Sequence, residues 1–423
     1  MTARTTRRTA HWAGLLLVLI LLLTTACNYP AFAPTSTPTV ISLPMASPSG
    51  VPTALPTRTP LPPTATAVPT ATVKPTVPPT AAPSLTLSPA PKSAYRGLIV
   101  YDRASTNVTG VDFSGAALNI KLKLAGVQWL GFNQAQWANN SIYYLNPADK
   151  TINQVAANGA AQKLAFIPAK DDLAFAISRD GNQIAWSFDN FSGKNPASEL
   201  WIAGIDGANA KQVAKVDPAT NPKWLVLHPY RWLADGRLLY IDAPTGIGGY
   251  ILFNGFAGLH LYDPANNKLT DLTPSLGGGG LCLQEISPDL KTIISACATS
   301  NNSDISYVNL ADNKAVSLTH QTDQNQVGSP AWSPAGAWLA YAYARADAGN
   351  EQGYVALVAS GATSPKILAT LPKGYFNVLA WVDENRFLVQ RYDGDTPSVW
   401  LFNRDGSAPL KLADGDYVGL VPD

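Results

Sequence analysis

The chain has 423 residues, 46% of them hydrophobic and only 14% charged, with 34 Pro, 32 Gly, 11 Trp and a formal net charge of +1. That average hides a seam: residues 1–94 hold six basic residues (Arg4, Arg7, Arg8, Arg58, Lys74, Lys92) and no Asp or Glu, which leaves 24 basic against 29 acidic residues in 95–423. A mildly acidic main body excludes an unaided partnership with nucleic-acid phosphates, which is carried by clustered Lys and Arg. Length alone suggests about three domains, and the organisation below replaces that figure with one.

Residues 1–27 have the form of an export signal: Arg4, Arg7 and Arg8, an apolar run from Ala13 to Leu23, then Thr24-Thr25-Ala26-Cys27. The run is shorter than the roughly 20 residues needed to span a bilayer. A small residue directly before a cysteine that closes the apolar run resembles the lipobox of bacterial lipoproteins, with Thr24 standing where the family prefers Leu. The resemblance implies that Cys27 is acylated and becomes the mature N-terminus, a membrane anchor that places everything after it outside the cytoplasm. Several acyl chains hold firmly where one holds reversibly. An ordinary secretory peptide or a slightly longer uncleaved anchor is the alternative.

Residues 28–94 contain 17 of the 34 prolines and 13 threonines. Proline fixes φ and removes backbone donors, and the remaining Thr, Ala and Ser show no apolar period, so this stretch is expected to be a disordered Pro/Thr-rich tether.

From residue 95 the pattern changes to short alternating segments, and it repeats. Ile177-Ser178-Arg179-Asp180-Gly181, Trp232-Leu233-Ala234-Asp235-Gly236, Ile286-Ser287-Pro288-Asp289, Trp332-Ser333-Pro334-Ala335-Gly336 and Trp381-Val382-Asp383-Glu384-Asn385 follow one another at intervals of 55, 54, 46 and 49 residues. Each copy continues into an apolar run such as Ile184-Ala185-Trp186, reading as strand, tight turn, strand. A second hairpin follows each one, as in Leu200-Trp201-Ile202 before Asp206-Gly207. Four strands per unit at this spacing predict an all-β fold, a β-propeller, because each small sheet buries its faces only against its neighbours. The Ser-Pro-Asp-Gly-type turn with its apolar triplet resembles the WD-like repeat of TolB-type periplasmic propellers, covering 170–423 well and 95–169 loosely.

The ends set the blade count. Residues 97–102, 107–113 and 117–123 supply three strands of a first unit, and a C-terminal strand 417–421 completes it and removes an open sheet edge. Blade two is divergent, with strands expected at 127–132, 141–146, 151–157 and 163–167. The total is seven blades over 95–423; six is the alternative, if 95–168 forms a single decorated blade. In the hairpin centred between Asp289 and Leu290, Cys282 falls directly opposite Cys297, close enough for a disulfide; two buried thiols are the alternative.

Enzyme motifs are absent: no Gly-x-Ser-x-Gly elbow, His-Glu-x-x-His helix or phosphate-binding glycine loop occurs. His228, His260 and His320 lie in different units without metal-ligand spacing, so neither metal nor cofactor is expected. Recognition surface remains. The connections between second and third strands, Ser187–Glu199, Asp242–Ala257 and Ala342–Gln352, are long, and they carry Phe188, Phe191, Lys194, Tyr250, Phe253, Phe256, Tyr343, Arg345, Asp347 and Glu351. Aromatic and Arg side chains on loops held by a rigid scaffold are what binding faces use; alternatively, 250–256 forms an extra β segment packed on its own blade. The expectation is a monomeric, non-enzymatic propeller binding a protein or glycan. Its alternatives are an extracytoplasmic enzyme working in the channel and a structural envelope protein of TolB-like type.

Overall fold

Runs of β-branched and aromatic residues separated by Gly, Asp and Asn form, in a computed structural model, seven four-stranded antiparallel sheets. The structure describes residues 94–423 except 125–134, 171, 192–195, 218, 220–224, 246–251, 253–254, 276–281, 299–302, 319–325 and 346–350. The leader, Cys27 and the tether therefore lie outside the described residues.

Blade 1 takes β1 (Tyr95–Asp102), β2 (Asn107–Asp112) and β3 (Ala117–Lys123), and blade 2 takes β4 (Ala135–Ala138), β5 (Ser141–Asn146), β6 (Thr151–Ala156) and β7 (Ala161–Lys163). Blade 3 is β8 (Leu173–Ile177), β9 (Gln183–Asn190), β10 (Ala197–Gly204) and β11 (Lys211–Val216); blade 4 is β12 (Leu225–Trp232), β13 (Leu238–Pro244), β14 (Gly258–Asp263) and β15 (Lys268–Asp271). Blade 5 is β16 (Leu283–Ile286), β17 (Thr292–Ala298), β18 (Ser303–Asn309) and β19 (Ala315–Ser317), and blade 6 is β20 (Gln326–Trp332), β21 (Trp338–Arg345), β22 (Gln352–Ala359) and β23 (Lys366–Leu371). Blade 7 is β24 (Tyr375–Trp381), β25 (Arg386–Tyr392), β26 (Ser398–Asn403) and β27 (Leu410–Asp414), after which β28 (Asp416–Pro422) returns to pair antiparallel with β1. Seven blades result, and the single decorated blade considered for 95–168 is replaced by two. In blade 2 the innermost strand is β4 and the outermost is β7, ending at Lys163; the stretch expected at 127–132 lies outside the described residues.

The repeat motif is turn chemistry. Ser178 Oγ donates to Asp180 at 2.6 Å and accepts from the Gln183 amide at 2.9 Å. Ser287 does the same with Asp289 at 2.6 Å and the Thr292 amide at 2.9 Å. Gly181 occupies the left-handed region with φ 71°, and in the blade 5 copy, which has no glycine there, Leu290 takes that conformation with φ 60°, at a cost of about 1–2 kcal/mol.

Blades are sealed against each other by buried apolar clusters and by tryptophans. Trp232 Nε1 donates to the Ala176 carbonyl at 3.0 Å and Trp381 Nε1 to the Ala331 carbonyl at 2.8 Å, each the inner strand of the preceding blade. Glutamines add a second stitch. The Gln136 amide bridges the Phe175 carbonyl and the Ile177 amide, both at 2.8 Å, and Gln390 bridges the Gly415 carbonyl and the Tyr417 amide at 2.7 and 3.0 Å.

The hairpin of blade 5 departs from the expected register. Glu285 and Ile286 face Ile294 and Ile293 as the turn dictates, but a bulge then shifts the ladder so that Leu283 faces Ser295. The Cys282 carbonyl accepts from the Ala296 amide at 2.7 Å, so the residue directly across from Cys282 is Ala296 and not Cys297.

Ring closure rests on β28, whose Val418 and Val421 are buried and whose first residue, Asp416, takes a bidentate pair from Arg103 at 2.5 and 2.7 Å. Removing residues 416–422 exposes the edge of β1 and deletes the buried Val418 and Val421, whose burial contributes about 1.5–3 kcal/mol each. The melting temperature is expected to fall by about 5 °C or more; calorimetry showing no change would contradict closure through this strand.

Candidate functional site

Each innermost strand begins at the face where second strands turn into third strands and ends at the face of the Ser-x-Asp turns. The chain enters the ring on the latter face. Tyr95, the first residue of β1, lies under the Arg179 guanidinium at 4.7 Å, and Ala94 accepts from the Asp423 amide at 3.2 Å. Both ends of the ring are thus on the side opposite the second-to-third-strand connections.

Those connections are shorter than the sequence suggests, because β9 runs to Asn190, β10 starts at Ala197, β21 runs to Arg345 and β22 starts at Gln352. Phe191 is 43% exposed and Arg345 is exposed at the end of β21. Glu351 is half-buried, its carbonyl accepting from the Gly374 amide at 2.7 Å. Phe188 is half-buried between blades 2 and 3, with the Lys170 ammonium 5.8 Å over its ring. Lys194, Tyr250, Phe253 and Asp347 lie outside the described residues.

Two assignments are corrected. Tyr343 points inward from β21, 2% exposed, and stacks on Tyr354 at 4.8 Å. Phe256 is 1% exposed, because its backbone exchanges hydrogen bonds with Leu283 of the next blade at 2.8 and 3.1 Å and its ring packs on Tyr230 at 5.7 Å. The segment bearing Phe256 therefore leaves blade 4 and pairs with blade 5, not with its own blade. Leu252 reaches farther: it is fully buried among residues of blades 6 and 7, and its amide donates to Gln326 at 3.2 Å. A Cβ on Gly328 would stand 2.0 Å from the Leu252 carbonyl, so only glycine admits this approach.

Sequence reading missed the polar side chains of the innermost strands. On β12, His228 Nε2 meets Asp189 Oδ2 at 3.1 Å; His228 is 36% exposed and Asp189 only 3%. The other oxygen of Asp189 accepts from Ser198 Oγ at 2.6 Å, and that hydroxyl accepts from the Leu227 amide at 2.9 Å. Ser198 is thereby fully committed, which leaves a buried carboxylate orienting an accessible imidazole.

Farther along β12 a bulge between Pro229 and Arg231 breaks the register, and both Tyr230 and Arg231 reach Glu285 on β16. Tyr230 OH donates to Glu285 Oε2 at 2.7 Å, and Arg231 Nη2 donates to Oε1 at 2.7 Å and to the Ile286 carbonyl at 3.2 Å. Burial, followed by the Glu285 charge, pushes the Tyr230 hydroxyl far above the ordinary phenol range. Burial opposes the Arg231 charge, but Glu285 and Tyr230 outweigh it and hold the guanidinium cationic. The signal available in the sequence was the polar run His228-Pro229-Tyr230-Arg231 inside an otherwise apolar first strand.

A third group sits on blade 4, where His260 lies between Asp242 at 3.1 Å and Asp271 at 3.5 Å and stacks on Tyr240 at 4.7 Å. Among the described residues no group of three His, Cys, Asp or Glu is arranged to hold a metal ion.

No protein-family model and no curated protein matches the chain. Among solved structures it is similar to a puromycin hydrolase S511A mutant complexed with PGG, at 13% identity and a TM-score of 0.51, over 75% of this chain and 52% of that chain. It is also similar to TolB from Acinetobacter baumannii, at 13% identity and 0.43 over 80% and 69% of the two chains. A further likeness is to an oligogalacturonate lyase from Vibrio parahaemolyticus, at 12% and 0.43 over 75% and 89%. At 13% identity the likeness to the puromycin hydrolase mutant shows a common fold and nothing of the chemistry.

Proposed function

We propose that the chain is a membrane-anchored, extracytoplasmic propeller that binds a protein or glycan partner through the face bearing the second-to-third-strand connections. The observation that carries this reading is the position of the chain ends. The described chain enters the ring at Ala94 on the opposite face, beside Arg179 and Asp423, so that entry does not occupy the face with Phe191 and Arg345. Residues 28–94 fully extended at about 3.1 Å per residue would reach roughly 200 Å, enough to present that face well clear of a membrane.

The anchor is Cys27, supported by the apolar run and the small residue before it. Labelled palmitate is expected in the protein and absent from Cys27→Ser, with the variant released into the soluble fraction; equal labelling of both would refute the anchor. The ring is further secured by a Cys282–Cys297 disulfide, a pairing supported by Ala296, the neighbour of Cys297, lying across from Cys282. Non-reducing peptide mapping is expected to recover the 282 and 297 peptides linked, with reductant lowering the melting temperature; recovery of Cys297 as a free thiol would rule the pairing out.

The recognition face is tested by a glycan array and by proximity labelling in the native envelope, comparing the full chain with the Phe191→Ala, Arg345→Ala double variant. Capture is expected to fall by about tenfold or more, equivalent to about 1.4 kcal/mol, with melting unchanged. Identical capture by both would remove this face from consideration.

A further inference from the structure

We propose that the loop-bearing end of blades 6, 7 and 1 holds a binding site for an uncharged saccharide, built from the stacked rings of Tyr375 and Tyr392, the Arg103–Asp416 pair and the Ser329–Asn377 hydrogen bond. The inference rests on the reading of that face as the recognition surface, and it names the ligand class and the place. Tyr375 opens β24, Tyr392 closes β25, Asp416 opens β28 and Arg103 follows the last residue of β1. All four therefore stand at the end where second strands turn into third strands.

Contacts join these groups. Tyr375 and Tyr392 are partners across the ladder, and their rings lie 4.5 Å apart and 12° from parallel. Two residues farther along β24, Asn377 accepts a hydrogen bond from Ser329 Oγ of blade 6 at 3.2 Å, and its side chain is also a partner of the Tyr392 hydroxyl. Arg103 gives Nε and Nη2 to Asp416 at 2.5 and 2.7 Å, and its charge bears on both tyrosine hydroxyls. Burial, followed by Tyr375 and Asp416, pushes the Tyr392 hydroxyl up to about 12, which keeps it a neutral donor.

Ser329 marks the same spot independently. It is a half-buried, non-glycine residue with φ 50°, inside the bulge between Gly328 and Ala331 that breaks the register of β20. Such strain persists only where the surroundings fix it, and it gathers at ligand sites. Here the strained residue spends its hydroxyl on Asn377, which is buried.

A pyranose has an apolar C–H face ringed by hydroxyls. Tyrosine rings offer that face a rigid platform at low ordering cost; stacking spends one face of each ring on the other, and both residues remain half-buried. Adjacent sugar hydroxyls need a donor and an acceptor side by side. Arg103 and Asp416 supply them, with side chains 42% and 16% exposed. Charge decides the class of sugar. The ionised side chains that bear on the two tyrosines are one cation, Arg103, and two carboxylates, Asp416 and Glu351, which sum to −1. An anionic sugar meets no surplus cation there, whereas an uncharged one takes charge-assisted hydrogen bonds from the pair.

The test is saturation-transfer NMR on the full-length protein with uncharged tetrasaccharides of glucose, galactose, mannose and N-acetylglucosamine, and with tetragalacturonate as the anionic control. At least one uncharged sugar is expected to receive saturation, and tetragalacturonate none. Tyr375→Phe, which keeps the ring, is expected to bind as the native chain does, and Tyr375→Ala about tenfold more weakly. Because loss of the ring also removes packing at the start of β24, hydroxyl-radical footprinting of the native chain is the second arm: the bound sugar is expected to protect Tyr375 and Tyr392. Absence of saturation in every uncharged sugar, a preference for tetragalacturonate, or saturation without protection of either tyrosine would each overturn the proposal. Partner capture that depends on Phe191 and Arg345 yet is untouched by Tyr375→Ala would leave the recognition face standing and remove this site.

Discussion

A four-stranded sheet with two apolar faces cannot be stable alone, and this requirement governs the molecule. Each blade hides its faces only against the blade before and the blade after it. Seven such sheets satisfy all their faces at once only if the last meets the first, which makes β28 the strand on which the rest depends. Its place is over-determined: the ladder to β1, the Gln390 stitch and the Arg103–Asp416 pair all fix it. The indoles of Trp232 and Trp381 spend their one polar atom on the neighbouring blade's carbonyl, so these two add burial with their donor met, whereas Trp332, at the same position of its repeat, is buried with its indole N–H unpartnered.

The same constraint explains where polar chemistry can occur. A charge between blades must be paired there or it costs several kcal/mol, and the innermost strand is the position where a side chain can take a partner from an adjacent blade and still meet solvent. β12 uses this twice, in opposite directions: His228 turns to Asp189 of blade 3, and Tyr230 with Arg231 turns to Glu285 of blade 5. The bulge at Tyr230 makes the second possible, since without it consecutive residues would point to opposite sides.

The legible part of the sequence was local. Ser178 with Asp180 and Ser287 with Asp289 are turn devices complete within a few residues, so their recurrence exposed the repeat and, with the end strands, the seven-blade count. What stayed hidden depends on distance or on parity. Nothing local marks where β21 ends, and it runs four residues into the connection expected from Ala342, to Arg345, which puts Tyr343 on the strand with its ring inward. Phe256 owes its burial to Leu283, 27 residues on, and the single bulge between Leu283 and Glu285 moves Cys282 by one position across its hairpin. His228 and Asp189 are 39 residues apart, and Tyr230 and Glu285 are 55 apart, separations at which no spacing rule operates.

Gly328 shows how the excursion from blade 4 is bound into the fold. Its missing Cβ lets the Leu252 carbonyl reach β20, and the Leu252 side chain then fills space between blades 6 and 7. Phe256 pairs with blade 5 on the way. One connection thus contacts three successive units on the loop-bearing side, which a loop serving only as recognition surface would not require. Burying Leu252 and Phe256 contributes about 1.5–3 kcal/mol each, a gain set against the entropy of ordering the connection. The residues that sequence reading would have offered to a partner are thus partly spent on joining blades 4 to 7. Of the residues on those connections, Phe191, just past the end of β9, and Arg345, at the end of β21, stay exposed, because each lies where a strand runs out rather than on the segment drawn across the neighbouring blades.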